Sequence, residues 1–364
     1  MTQNSKKNRI IFIDLMRAFA VLMMVQGHTT DVLLSPAYRN PEAASYIVWN
    51  FMRGMTAPIF LFTAGNVFTY LFKLNDKPFL INPRTKKGFK RFLLLVFLGY
   101  MMRFPTANIF KFSAATPEEL RTFFAVDVLQ LIGFGILFLM IFIYISEKLN
   151  FSSYVVLSLG TFLFIALFPA FSFIHWKNFL PVPVAGYFSY ETGSNFPLFP
   201  WVAFVLAGGI LGNYLAKHPN VFKTSLFSLK LTVFGAGLVL IALIGDSVEK
   251  KIFGQSYFWT ISPNLVFLRI GIVLILNALV AFVSIKVDSI PRIIILVGRN
   301  TLLIYIVHLV ILYGSAWSVG VIILFYNSFS IWQTIGAVLI MLILMVGMVE
   351  VIHKFKVRNK ELVT

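Results

Sequence analysis

The sequence predicts an all-α polytopic membrane protein. It is read as one helical domain over residues 1–364, with about ten transmembrane helices and both termini cytoplasmic. Three observations carry this reading. Hydrophobic residues make up 59% of the chain and charged residues only 12%, too few to coat a soluble domain of this size. Apolar runs of roughly twenty residues, the length a helix needs to cross a bilayer, recur from end to end. Lysine and arginine are spread unevenly between the segments that separate those runs.

The first span, about 10–31, follows the positive start MTQNSKKNR, and no small-residue cleavage site ends it, so it is read as retained. The second, about 45–72, contains Pro58, which removes a backbone donor and predicts a kink, with Gly54 and Gly65 allowing close approach. A third, about 89–110, leaves a basic run of Arg84, Lys86, Lys87, Lys90 and Arg91. A fourth, about 122–146, carries Asp127 and Gln130 three positions apart, which predicts one shared helix face. Spans at about 152–173, 197–216, 225–245 and 263–285 follow, the last holding Arg269. The ninth, about 292–314, holds Arg299, Asn300 and His308, and the tenth covers about 331–353 before a tail at 354–364. The polar intervals near 73–91 and 173–196 are too short to bury a core of their own. No internal repeat or low-complexity segment is evident.

With the N-terminus (1–9) inside, the inner segments hold twenty cations against six outside. The inner set includes Lys6, Lys7, Arg9, the Arg84–Arg91 run and the tail residues Lys354, Lys356, Arg358 and Lys360; the outer set is Arg39, Lys111, Arg121, Lys177, Lys250 and Lys251. The net charge of +17 is therefore read as topology and attraction to anionic lipid rather than as nucleic-acid binding. The chain has no cysteine, which excludes a thiol nucleophile, disulfides and cysteine–metal sites. No metal-spaced His/Asp/Glu cluster, P-loop or nucleophile elbow is present either.

Polar residues inside the spans then point to chemistry. An ionisable side chain in hydrocarbon costs about 3 kcal/mol or more, so it turns toward protein or a watery cavity. In the first span Asp14, Arg17, His28 and Asp31 share one face, with Arg17 and His28 separated by about 16 Å of depth. Counting from the membrane faces puts Asp14, Arg17, Arg299 and Asn300 near the cytoplasmic side. His28, Asp31, Arg53, Arg103, Asp127, Arg269 and His308 fall in the outer half. His28 and His308 come out at nearly equal depth and meet if their helices are neighbours. Asn300 and Tyr305 lie on or near the His308 face. Arg299 lies about 180° from His308 on a helical wheel, so the two share a pocket only if the helix breaks near Gly298. Histidine accepts a proton near neutral pH, which makes His28 the candidate base or nucleophile, with Asp31 one turn on to orient its ring. The plain alternative for Arg53, Arg103, Asp127 and Arg269 is ion pairing that fixes helix packing.

Asp14 and Arg17 followed by Ala20 and His28, with ten residues between arginine and histidine, resemble the signature of the type-three membrane acyltransferases. The chain as a whole is similar to their relatives, the heparan-α-glucosaminide N-acetyltransferase catalytic-domain proteins. The stretches that carry this are RIIFIDLMRAFAVLMMVQGH (9–28), MTAPIFLFTAG (55–65), VDVLQLIG (126–133), LFPWVAFVLAGGILG (198–212) and GRNTLLIYIVHL (298–309), in family order. The resemblance implies a membrane acyltransferase of the bacterial inner (plasma) membrane. It would move an acyl group, usually acetyl, from cytoplasmic acetyl-CoA to a hydroxyl or amine of a carbohydrate acceptor on the far side, with no metal. His28 matches the type-three histidine. On this reading His28 and Asp31 are catalytic, and Arg17, Asp14 and Arg299 form the acyl-CoA-binding set, in which the two arginines hold phosphate or order the tunnel. Asp127, Gln130, Asn300, His308 and Arg53 contact the acceptor. The expected partners are the lipid bilayer, acyl-CoA and the carbohydrate, with a homodimer left open. The rival is a transporter or flippase for a small molecule or lipid-linked sugar. It predicts the same intramembrane charges but also two related halves, which are not visible here.

Overall fold

The protein, examined as a computed structural model describing residues 11–74, 77–287 and 290–361, is helical wherever the apolar runs predict a span. In chain order the helices are α1 (Ile11–Leu33), α2 (Ala44–Lys73), α3 (Pro83–Met102), α4 (Pro117–Phe124), α5 (Val128–Lys148), α6 (Ser153–Ala166), α7 (Phe168–Phe173) and α8 (Val182–Ala185). They continue with α9 (Leu198–Lys217), α10 (Ser225–Phe253), α11 (Pro263–Lys286), α12 (Arg292–Arg299), α13 (Thr301–Tyr313), α14 (Ile322–Phe325) and α15 (Ile331–Glu361). Among the described residues there are no strands, only isolated backbone bridges. The N-terminal tail with Lys6, Lys7 and Arg9 lies outside the described residues.

Eight helical segments are long and apolar enough to cross a bilayer, and α12 with α13 adds a ninth. The expected count of about ten is corrected at the third span. Helix α3 starts at Pro83, six residues before the expected boundary, and takes the basic run Arg84–Arg91 into its own first half, which dilutes its apolarity. It nonetheless runs antiparallel along α5. A Cβ on Gly88 would overlap the Met140 sulfur, and one on Gly99 would overlap the Gln130 side chain, so the two helices cover the same depth.

The expected single ninth span is broken. Helices α12 and α13 meet at Asn300 with a bend of 75°. Here Gly298 lies so close to α1 that a Cβ would overlap the Asp14 carbonyl oxygen. The Asn300 backbone N–H (3.1 Å) and side chain (2.8 Å) both donate to the Leu296 carbonyl, closing the end of α12.

Helices α1, α2, α5 and α9 form the centre. Of the most apolar window of α9, 83% is buried inside the protein, against 17% for α15, so α15 turns most of its surface outward. Helices α2 and α9 touch backbone to backbone because Gly65 faces the Val205 carbonyl and Gly208 faces the Phe62 carbonyl, with no room for a side chain at either glycine. Around this pair Phe62, Leu131, Leu139 and Phe204 are fully buried. The end of α1 meets the start of α15: the Phe329 N–H donates to the Leu33 carbonyl (2.9 Å), and Arg39 donates to the Leu34 carbonyl (2.7 Å) and the Asn327 side chain (2.8 Å). Helix α15 therefore runs back beside α1. Both ends of the described chain emerge from the same face of the bundle.

Candidate functional site

At the opposite face, where α1, α3 and α13 end and α5, α9 and α11 begin, a cavity of about 1050 Å³ opens into the bundle. Its floor includes Met24, Phe60, Leu129 and Leu309, and its wall is polar: His28, Asp31, Arg53, Arg103, Asp127, Gln130, Arg269, Tyr305 and Tyr313. On α2 it is bounded by Gly54, Thr56 and Ala57. Pro58 has no N–H to offer the Gly54 carbonyl four residues earlier, so the helix gives up a hydrogen bond where it borders this space. Of the two glycines expected to allow close approach, Gly65 does so in the α2–α9 packing, while Gly54 borders the cavity.

His28 lies in the penultimate turn of α1. Its Nδ1 pairs with the Tyr313 hydroxyl at 3.3 Å, and Nε2 has no hydrogen-bond partner among the described residues. Behind it stands His308, with the two ring centroids 5.6 Å apart. The meeting expected from equal depth is therefore present. His308 itself is fully buried and does not line the cavity; its Nδ1–H donates to the Ile304 carbonyl (2.7 Å) and its Nε2 meets no partner among the described residues. His308, expected to contact an acceptor, is placed behind His28 and not in the cavity wall.

Asp31 does not orient His28. Its carboxylate accepts from Arg53 Nε at 2.6 Å, because α2 enters beside the last turn of α1 and brings a full charge where the neutral imidazole would otherwise bond. Tyr313 holds the ring in its place, and sequence spacing does not disclose that pairing because 285 positions separate the two residues.

Asp127 and Gln130 do not share a helix face. Asp127 is the N-cap of α5, its carboxylate accepting from the Val128 N–H (2.7 Å), while Gln130 Oε1 accepts from the Asp127 N–H (3.3 Å). This is a capping box, and the D-x-x-Q pattern at 127–130 was the legible signal for it. The other Asp127 oxygen accepts from Arg103 at 2.6 Å. Both residues still line the cavity, and the Gln130 amide nitrogen is buried with no partner among the described residues.

Asp14, Arg17, Arg299 and Asn300 are placed elsewhere. They gather at the chain-end side of α1, around the α12–α13 break. Arg17 Nη2 donates to the Thr301 hydroxyl (2.9 Å), and Arg299 Nε lies 3.6 Å from the Asp14 carboxylate. None of the four lines the cavity. The break that would let Arg299 and His308 share one pocket exists, yet it sends Arg299 to Asp14.

Several wall residues escape sequence reasoning. Tyr313, Trp201, Asn195 and the rim carboxylates Glu118 and Glu119 come from four different segments, and nothing in their local pattern separates them from interfacial aromatics or loop residues. Among the described residues no group of three His, Cys, Asp or Glu side chains is placed to hold a metal ion.

Residues 9–245 match the family model described as heparan-alpha-glucosaminide N-acetyltransferase, catalytic, and the chain belongs to that family. The match runs from α1 into α10, so it includes His28 and Asp127 but stops before Arg269, His308 and Tyr313. None of the curated proteins matches this chain. With its apolar helices and this family, it is an integral membrane protein.

Proposed function

We propose that this member of the heparan-alpha-glucosaminide N-acetyltransferase family is a membrane acyltransferase that carries acetyl from cytoplasmic acetyl-CoA to a hydroxyl or amine of a sugar held in the cavity. The observation that carries the proposal is His28, whose Nε2 has no partner among the described residues while the ring lines a cavity large enough for a sugar unit and a thioester. When Nδ1–H donates to the Tyr313 hydroxyl, Nε2 keeps its lone pair. It can then take the proton from the acceptor as the acceptor oxygen or nitrogen bonds to the acyl carbon. The carbon–sulfur bond breaks in the same exchange, and the thiol leaves with a proton. The same lone pair can instead attack the acyl carbon and carry the group transiently before the acceptor takes it. The charge pairs Arg53–Asp31 and Arg103–Asp127 hold the α1, α2, α3 and α5 walls in place around this exchange.

The cation asymmetry supports a cytoplasmic position for the face with the chain ends. On that reading the cavity mouth opens on the far side and the Arg17/Arg299 cluster lies on the donor side. Arginine suits phosphate because its planar fork donates two hydrogen bonds at once. The basic first half of α3 adds charge at the same face.

The test is a single-turnover reaction of purified protein with radiolabelled acetyl-CoA, comparing wild type with His28→Ala and His28→Gln. Thiol release or label transfer in wild type that disappears in both variants, with folding matched, is the expected result. Label retained on wild type identifies the acyl-carrier route. No binding and no turnover of acetyl-CoA by wild type, even with mixed cell-envelope sugars supplied, would overturn the proposal and favour a transporter.

A further inference from the structure

Three arginines line the cavity, and their surroundings differ. Arg53 is paired with Asp31 and Arg103 with Asp127, each within 2.6 Å. Arg269, in the second turn of α11, makes no hydrogen bond or ion pair with any described residue. Its guanidinium sits over the Trp201 ring, 5.8 Å from the centroid, and Trp201 in turn donates to the Tyr190 hydroxyl at 2.8 Å. An arginine inside a membrane-spanning helix ordinarily faces a carboxylate or a backbone carbonyl, because an unpaired charge there is costly. The aromatic face offsets part of that cost and fixes the guanidinium, yet it leaves the hydrogen-bonding fork unused. The remaining carboxylates of the cavity, Glu118 and Glu119, are exposed at the rim on α4, and Glu119 is occupied in capping that helix through Thr116.

We infer that Arg269 is an anion-binding subsite of the cavity. It would receive an acidic substituent, a carboxylate or a phosphate, of the carbohydrate acceptor whose hydroxyl or amine faces His28. The inference rests on the acceptor being bound in this cavity, as proposed above, and it adds the charge of the substrate. Arg269 lies on the first turns of α11, and Trp201 on the first turns of α9 lies beside it, so the subsite is near the mouth and an extended acceptor can hold it while a neighbouring group reaches deeper. A fork-shaped, always-charged donor matches either oxyanion with two parallel hydrogen bonds. Arg269 lies beyond the residues matched by the family model.

Equilibrium binding to purified full-length protein separates this subsite from the acyl-transfer chemistry. The probes are glucose, glucuronate and glucose 1-phosphate, read by tryptophan fluorescence or competition. The proteins are wild type, Arg269→Gln and Arg269→Lys. Wild type should bind one or both acidic sugars at least about tenfold more tightly than glucose, a ratio equivalent to about 1.4 kcal/mol. Arg269→Gln should abolish that preference without weakening glucose binding, and Arg269→Lys should keep part of it. The two acidic probes distinguish a carboxylate from a phosphate acceptor. Equal affinity for charged and neutral sugars in wild type, binding of none of them, or a preference that survives Arg269→Gln would overturn the inference. If the preference is present and depends on Arg269 while acetyl-CoA is never consumed, the subsite stands and the acyltransferase reading falls.

Discussion

At its first turns α1 presents Asp14 and Arg17 to α12 and α13; at its last turns it presents His28 and Asp31 to a cavity. Both places combine a carboxylate with a basic residue on the same helix face. At the first, backbones are in contact: Gly298 touches Asp14 with no space for a methyl group, and the charges meet neighbouring helices. At the second, Gly54 of α2 has nothing within 4 Å of where a side chain would begin. The neighbouring charges neutralise each other, and His28 keeps one ring nitrogen without a partner among the described residues. The two places are alike in polarity, and only the second joins it to open volume.

The sharpest break in the comparison is kinetic. His28→Gln keeps the size and a polar end near Tyr313 but removes the basic nitrogen, so kcat for acyl transfer should fall at least about a hundredfold, the usual range of a general base. Arg17→Lys at the other end should raise the KM for the acyl donor several-fold with a smaller effect on kcat, since a lysine cannot reproduce the fork. Steady-state rates at varied acyl-CoA separate the two patterns. Equal losses of kcat at both ends would erase the distinction.

The two glycines should respond with opposite signs. Gly298→Ala forces a methyl into the Asp14 backbone and should destabilise the fold by about 1–3 kcal/mol. Gly54→Ala meets open space in a helix and should be neutral or stabilising by up to about 1 kcal/mol. Reversible unfolding in detergent measures both. A destabilising Gly54→Ala would mean that the cavity wall is closed.

A smaller contrast lies between the two ion pairs. Removing the charge by Arg103→Gln leaves Asp127, the cap of α5, without its cation in a setting where both side chains are about one-quarter exposed or less. Arg53 is 42% exposed, and solvent screens its pair with Asp31 more strongly. Arg103→Gln should therefore cost more stability than Arg53→Gln, which should stay within about 1 kcal/mol. The same unfolding assay ranks them, and equal costs would show the two pairs to be equivalent.

Much of the architecture was legible because a bilayer constrains it so strongly. Apolar length located all ten helical regions, although α3 shows that a basic half-helix blurs the count. Helical phase and depth brought His28 to His308, whereas the break between Arg299 and His308 departs from the single span expected there. What stayed hidden depends on which helices are neighbours. The replacement of Asp31 by Tyr313 as the partner of His28 follows from α13 ending beside α1. The capture of Asp31 by Arg53 follows from the entry of α2. Neither is encoded in the spacing within one helix. Asp127 and Gln130 were misread for a different reason: the helix was extended backward through a residue that caps it.

The absence of cysteine from the chain makes one measurement especially direct. Ala57→Cys places a single thiol on the cavity wall, where a membrane-impermeant maleimide can be applied to either side of sealed, oriented vesicles before acyl transfer is assayed. If the reaction takes place in this cavity, the reagent reaches the thiol only from the face opposite the chain ends. Labelling then stops transfer by a variant that is active when unlabelled. Full activity after complete labelling, or labelling only from the face that carries the chain ends, would contradict it.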